Sequence, residues 1–267
     1  MLHFDINLSM TLTDVPFTQR FARAAALGFA AVELFWPAGE DLDAVVAAKQ
    51  AAGVQVVLMN MHTGPAGARG QLSDPAAQAN WRADFMAALE LAQRLDCPRI
   101  HTVAGNRLEQ WSRQAQFDCA VENLTAMLPS LRAAGVTAQI EMLNRFDNPG
   151  FLVTTLQEMI DICAAVDSPH VRAQFDFYHM QRTQGSLIDS FHAHLPWISH
   201  VQIADVPGRK QPGSGEINYR NVLAAVEGSG YRGYVGLEFV PQGDLEQALA
   251  WLPPAARKSA TAADLRL

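Results

Sequence analysis

A chain of 267 residues, 49% of them hydrophobic, is long enough for one (β/α)8 barrel with a sizeable core and too short for two generous enzymatic domains. Its formal net charge of −7 argues against a large nucleic-acid footprint, which needs a basic face, and no run of about eighteen apolar residues offers a membrane span. The opening MLHFDINLSM lacks a basic segment ahead of a long apolar stretch, so no signal peptide is expected, and scattered Cys97, Cys119 and Cys163 read as buried thiols of a cytosolic globular protein.

Strand and helix patterns alternate along almost the whole sequence. Residues 3–9 read as the first strand. Thr13 is placed to cap a helix over 14–27, with Pro16 in its first turn and Gly28 ending it. Strand two is 30–35, followed by a helix over 42–52 that Gly53 stops. Strand three is 54–60, and a long glycine-containing loop covers 63–73. Asp74 and Pro75 supply a cap and a first-turn proline for a helix reaching Leu95. Strand four is 99–104, and the next helix runs over 112–134 to Gly135. Strand five is 137–142; Thr155 and Glu158 then form a capping-box pattern. Strand six is the apolar run that ends in Asp176. A helix of roughly fifteen residues before Pro196, strand seven at 198–204 and a Pro- and Gly-rich loop at 205–217 come next. A helix over 219–229, strand eight at 233–240 and a last helix over 245–252 complete the pattern. Strict alternation of eight strands and eight helices predicts a single TIM barrel domain over 1–267. An open doubly wound sheet would use fewer strands and carry a phosphate-binding glycine fingerprint after the first, which the turn at 9–14 lacks.

Four strands end in oxygen-bearing side chains: Glu141, Asp176, Gln202 and Glu238. In a closed barrel such ends share the face on which chemistry is built, and the long loops after strands three, five and seven lie on the same face. Three carboxylates and an amide oxygen suit a hard divalent cation such as Mg²⁺ or Mn²⁺, which would also remove the repulsion between the acids. Each acid taken singly could instead cap a loop or pair with a base such as Arg145. Glu33 either joins the site or makes an ion pair inside the barrel. His179, three residues beyond Asp176, can turn over the mouth toward a substrate oxygen, and Arg209 can clamp a substrate carboxylate. His101, on strand four, could line the barrel mouth, with a core histidine as the default reading. His192 and His194, two apart on a helix, are a poor metal pair. No nucleophile elbow, Walker loop or Cys–His dyad is present.

The segments NLSMTLTDVPFTQRFARAAALGFAAVELFWP, HTVAGN, IEMLNRFDNPGFL, FDFYHMQR, HVQIADVPGRKQPGSGEINY and GYVGLEF resemble the hydroxypyruvate isomerase family, within the xylose-isomerase-like barrels. The resemblance runs from about residue 7 to residue 240. It implies that Glu141 and Glu238 are a proton-transfer pair, and that Glu141, Asp176, Gln202 and Glu238 hold one divalent metal. It also implies a small hydroxy-carbonyl acid, isomerised through an enediol between hydroxypyruvate and tartronate semialdehyde. Two departures border the substrate: a shortened loop after strand three, and Val206 and Lys210 where the family has Asn and His.

The residue chemistry points to the same reaction. Two carboxylates can take a proton from one carbon and deliver it to its neighbour while a metal stabilises the enediolate. A 2-oxo-tetronate isomerase, or a sugar or sugar-acid epimerase, would use the same groups, although epimerases of this superfamily usually have histidine at the position of Gln202. A metal-dependent endonuclease needs further His and Asp ligands and a basic groove, and a non-catalytic binding protein would tolerate loss of a glutamate. The sequence leaves open whether the chain acts alone or as a homo-oligomer.

Overall fold

The computed structural model describes residues 1–65 and 68–267, so two positions of the loop expected at 63–73, Ala66 and Gly67, lie outside the described residues. Eight strands follow one another around a closed barrel in sequence order: β1 (His3–Asn7), β2 (Ala31–Leu34), β3 (Gln55–Asn60), β4 (Arg99–His101), β5 (Thr137–Glu141), β6 (Val171–Asp176), β7 (Ile198–Ile203) and β8 (Tyr234–Leu237). Helices α1 (Phe17–Ala26), α2 (Leu42–Ala52), α3 (Gln78–Arg94), α4 (Arg113–Ala134), α5 (Leu156–Val166), α6 (Phe177–Thr183), α7 (Leu187–His194), α8 (Tyr219–Gly228) and α9 (Leu245–Ala248) lie between and after them. The expected (β/α)8 TIM barrel is the observed fold. No described helix is long and apolar enough to cross a membrane.

The chain groups into two compact units. One comprises Met1–Val57, Phe175–Pro196 and His200–Leu267. Its first strand, β1, pairs in parallel with β2, with Asn7 level with Glu33, and with β8, where Ile6 is level with Leu237. β7 pairs with β8 and sets Gln202 level with Gly236. Phe4, Ile6, Val32, Val201, Ile203, Val235 and Leu237 are buried, as short β-branched and aromatic strands covered on both faces require. The second unit comprises Leu58–Gln174 and Trp197–Ser199. There β4 pairs with β5 and β5 with β6, so that Glu141 is level with Gln174. Trp81 and Phe85 of α3 stack at 5.2 Å, and Asn123 of α4 donates to the Leu72 carbonyl at 2.9 Å, tying down the loop after β3.

Several helix signals hold as read. Gly53 and Gly135 close α2 and α4 in the left-handed conformation, and Thr155 with Glu158 forms a complete capping box on α5. Others differ. Thr13 does not cap α1, which begins at Phe17 after Pro16, because a residue preceding proline, here Val15, is disfavoured in the helical region. Asp74 closes a separate turn through Ala76 and Ala77, and α3 starts only at Gln78. The single helix expected before Pro196 is two, α6 and α7, because Gly185 and Ser186 take positive φ values of 68° and 47° and break the ladder. The last helix is also shorter than read, ending at Ala248. All three cysteines are free and buried as expected, and burial pushes the Cys163 thiol up to about 12.

Candidate active site

In the first unit, β6 delivers Asp176 at its last position, where the residue doubles as the N-cap of α6. Its Oδ1 accepts from the Tyr178 amide at 2.8 Å. That bond turns Oδ2 the other way, to 3.2 Å from Nη2 of Arg209 and 3.6 Å from Nε2 of His179. Glu238 stands one residue past β8; its Oε2 accepts from the same Nη2 of Arg209, and its Oε1 accepts from Asn7 Nδ2 at 3.2 Å. Two carboxylates from different strands thus converge on a single cationic nitrogen. The Arg209 guanidinium also lies 5.3 Å from the centre of the Tyr178 ring, a cation–π contact.

Arg209 reaches this position because the loop after β7 is built around the buried carboxylate of Asp205. Its two oxygens accept the amides of Val206 (2.9 Å), Ile217 (3.1 Å), Gly213 (2.9 Å) and Gly215 (2.9 Å). Asp205 and Lys210 exchange both backbone hydrogen bonds, and Arg209 itself takes a positive φ of 56° in the turn so formed. The side chain of Val206 is buried in this loop.

Beneath the convergence lies a hub. Glu33, 1% exposed, accepts from Asn7 Nδ2 at 2.9 Å, Gln202 Nε2 at 2.8 Å and His200 Nε2 at 2.9 Å. The open choice for Glu33 resolves as both readings together: it is ion-paired inside the barrel and bonded directly to residues of the candidate site. Burial opposes its charge, but His200, and then Asn7 and Gln202, more than offset that and hold its carboxyl below the usual range. Asp5, Glu33 and His200 place ligand-type atoms near one another. Three donors already occupy Glu33 in that group.

Asp176 and Glu238 behave in the opposite sense. Burial raises both, only partly offset by the charge of Arg209, and repulsion from Glu33 adds to the rise in each; for Glu238 the carboxyl is pushed up to about 8. Carboxylates so destabilised as anions are the groups a dication would stabilise. The donor set fits one. Asp176 and Glu238 already share a cation, and Gln202, its nitrogen held by Glu33, has its amide oxygen turned away from that acid. Oxygen donors of this kind suit Mg²⁺ or Mn²⁺.

In the second unit Glu141 is the last residue of β5 and is buried. His101, at the end of β4, lies with Nε2 3.5 Å from its Oε2. The histidine read as a core residue is therefore buried against a candidate catalytic acid. Arg145, offered as a partner for the acids, is exposed, and Arg209 makes the contacts to Asp176 and Glu238 instead. His179, expected to lean over the mouth, is buried at the start of α6 with 1% exposure. Reading by strand ends missed Asn7, His200 and Asp205. For Asn7 the signal was present, since it is the last residue of β1 as Glu141 is of β5.

A family model described as the xylose isomerase-like TIM barrel matches residues 21–255, which defines the class of this barrel. Along 95% of its length the chain is 34% identical to a hydroxypyruvate isomerase of Escherichia coli, 99% of which is covered. It is 32% identical, over 94% of this chain and 98% of the relative, to a 2-oxo-tetronate isomerase of Haemophilus influenzae. A crystal structure from Brucella melitensis named as an AP endonuclease of family 2 superposes with a TM-score of 0.92 at 35% identity, over 95% of this chain and 99% of that one. The chain belongs to the hydroxypyruvate isomerase family of xylose isomerase-like TIM barrels.

Proposed function

We propose that the chain is an isomerase that moves a carbonyl between adjacent carbons of a small hydroxy-carbonyl acid, interconverting hydroxypyruvate and tartronate semialdehyde. The observation that carries this reading is the meeting of Asp176 and Glu238 on one nitrogen of Arg209. Two buried acids stand there with a guanidinium suited to a substrate carboxylate. The names of the relatives support a sugar-acid isomerase. Glu141, Asp176, Gln202 and Glu238 would hold one divalent cation, Mg²⁺ or Mn²⁺. When bound, that ion supplies electrophilic polarisation of adjacent substrate oxygens.

The protein's own groups account for the proton movements. One of Glu141 and Glu238 takes the proton from the substrate carbon and the other returns one to its neighbour, while the hydroxyl proton passes to the adjacent, former carbonyl oxygen, the roles exchanging in the reverse direction. His179 and Arg209 hold substrate oxygens. A 2-oxo-tetronate substrate, or epimerisation of a related sugar acid, asks the same of these residues. A nuclease reading would draw on the name of the Brucella structure, but the net charge of −7 weighs against binding a phosphate backbone.

Proton NMR in D₂O separates these substrates. Purified protein with Mg²⁺ is offered hydroxypyruvate and four-carbon 2-oxo-hydroxy acids, and turnover is read together with the carbon that gains deuterium. Exchange without isomer formation, or no reaction with any of these acids, would refute the assignment.

A further inference from the structure

The role of Glu33 follows from the asymmetry of its partners. A carboxylate only accepts, so every amide facing it must present its NH₂ end. Oε1 of Glu33 receives both Gln202 Nε2 (2.8 Å) and Asn7 Nδ2 (2.9 Å), while Oε2 receives His200 Nε2 (2.9 Å). Asn7 carries independent support for its orientation, because its Oδ1 accepts the amides of Ser9 (2.9 Å) and Met10 (3.0 Å). The approach of Glu33 is close enough to require glycine on β8, which β1 separates from β2. A Cβ at Gly236, which is level with Gln202, would fall 2.5 Å from Glu33 Oε2 and 3.1 Å from Gln202 Cγ.

We infer that Glu33 is a positioning residue: by accepting from both amides it turns the oxygen of Gln202 toward the cation site and the nitrogen of Asn7 toward Glu238. The inference rests on the metal reading above. It yields a rule for position 202, where the side chain must carry an N–H on the side of Glu33 and a lone pair on the opposite side. Glutamine and histidine satisfy the rule. Glutamate does not, although it would bring an additional negative charge to a dication, because it would set carboxylate against carboxylate at hydrogen-bond distance.

The test is Mn²⁺ binding by calorimetry to the full-length, metal-stripped protein and to Gln202→Glu, Gln202→His and the double variant Glu33→Gln/Gln202→Glu. Altering the partner that orients a ligand costs about 10- to 100-fold in affinity. Gln202→Glu is therefore expected to bind at least about tenfold more weakly than wild type, and Gln202→His to stay within about tenfold. Adding Glu33→Gln to Gln202→Glu is expected to recover part of the affinity, since the new amide nitrogen at position 33 can donate to the new carboxylate, although it then faces the Asn7 amide donor to donor. Binding by Gln202→Glu as tight as wild type, or a double variant no tighter than the single, would overturn the inference. If circular dichroism shows Gln202→Glu unfolded, a folded double variant that binds Mn²⁺ supports the inference, and an unfolded or non-binding one overturns it. Wild-type protein that binds no Mn²⁺ would instead sink the metal reading itself.

Discussion

Nη2 of Arg209 lies 3.2 Å from Oδ2 of Asp176, an approach made from a loop held in place by a different acid. The same nitrogen bonds Glu238, so one side chain carries the positive charge between two buried carboxylates. Removing one partner of a buried ion pair costs several kcal/mol because the remaining charge stays desolvated. Above about pH 8, where Glu238 is ionised, Arg209→Met should therefore lower the stability of the metal-free protein by about 2–5 kcal/mol, less whatever proton uptake by Glu238 restores. Saturating Mn²⁺ should return most of the loss. Arg209→Lys should raise KM about tenfold, since lysine cannot make a two-pronged contact with a carboxylate. Thermal unfolding with and without Mn²⁺ and steady-state kinetics check both; equal melting of Arg209→Met and wild type would contradict the first.

Glu238 predicts a pH dependence. Its carboxyl, raised to about 8 chiefly by burial, keeps a proton in the folded metal-free protein across a range where the unfolded chain has lost it. With the unfolded value near 4.5, the folded state binds more protons between about 4.5 and 8, so stability falls as pH rises through that window. Below it this penalty is absent, and above it fully present. Cation binding must expel the proton, so Mn²⁺ affinity should increase from pH 6 to about 8 with release of up to one proton. Calorimetry in buffers of different ionisation enthalpy reads the release directly, and an affinity independent of pH in this range would disprove it.

Asp205 touches neither Asp176 nor Glu238 in any bond described above, yet four loop amides depend on its two oxygens. Asp205→Asn sets an N–H₂ group against two backbone N–H groups. The expected cost is about 2–4 kcal/mol, with faster hydrogen exchange across 206–217 and a raised KM as Arg209 loses its station. Unchanged exchange in that loop would show that the backbone holds itself.

The proposed proton-transfer pair separates catalysis from binding. Glu141→Gln and Glu238→Gln keep an oxygen for a cation but remove the base. Each should lower kcat at least about 10²-fold, while metal content measured by atomic emission falls much less. Near-normal turnover by both variants with metal retained would rule out the assigned roles.

The sequence alone determined the barrel. Alternating strand and helix periods, Gly53 and Gly135 at helix ends and the Thr155–Glu158 box are local signals, set by the backbone preferences of a few neighbouring residues. It also marked the acids at strand ends, because a polar residue closing an apolar strand stands out within six positions. What it did not determine is what those acids touch. Asn7 and Glu238 meet across 231 positions, Gln202 and Glu33 across 169, and His200 and Glu33 across 167. Such pairs have no signature in local spacing. Only closing the strands into a barrel brings β1, β2, β7 and β8 side by side, and only there does a buried glutamate acquire three donors and one arginine acquire two acids. The tertiary structure decided the hub and the bridge because charge and hydrogen-bond polarity act through space, at distances the chain reaches only once it is folded.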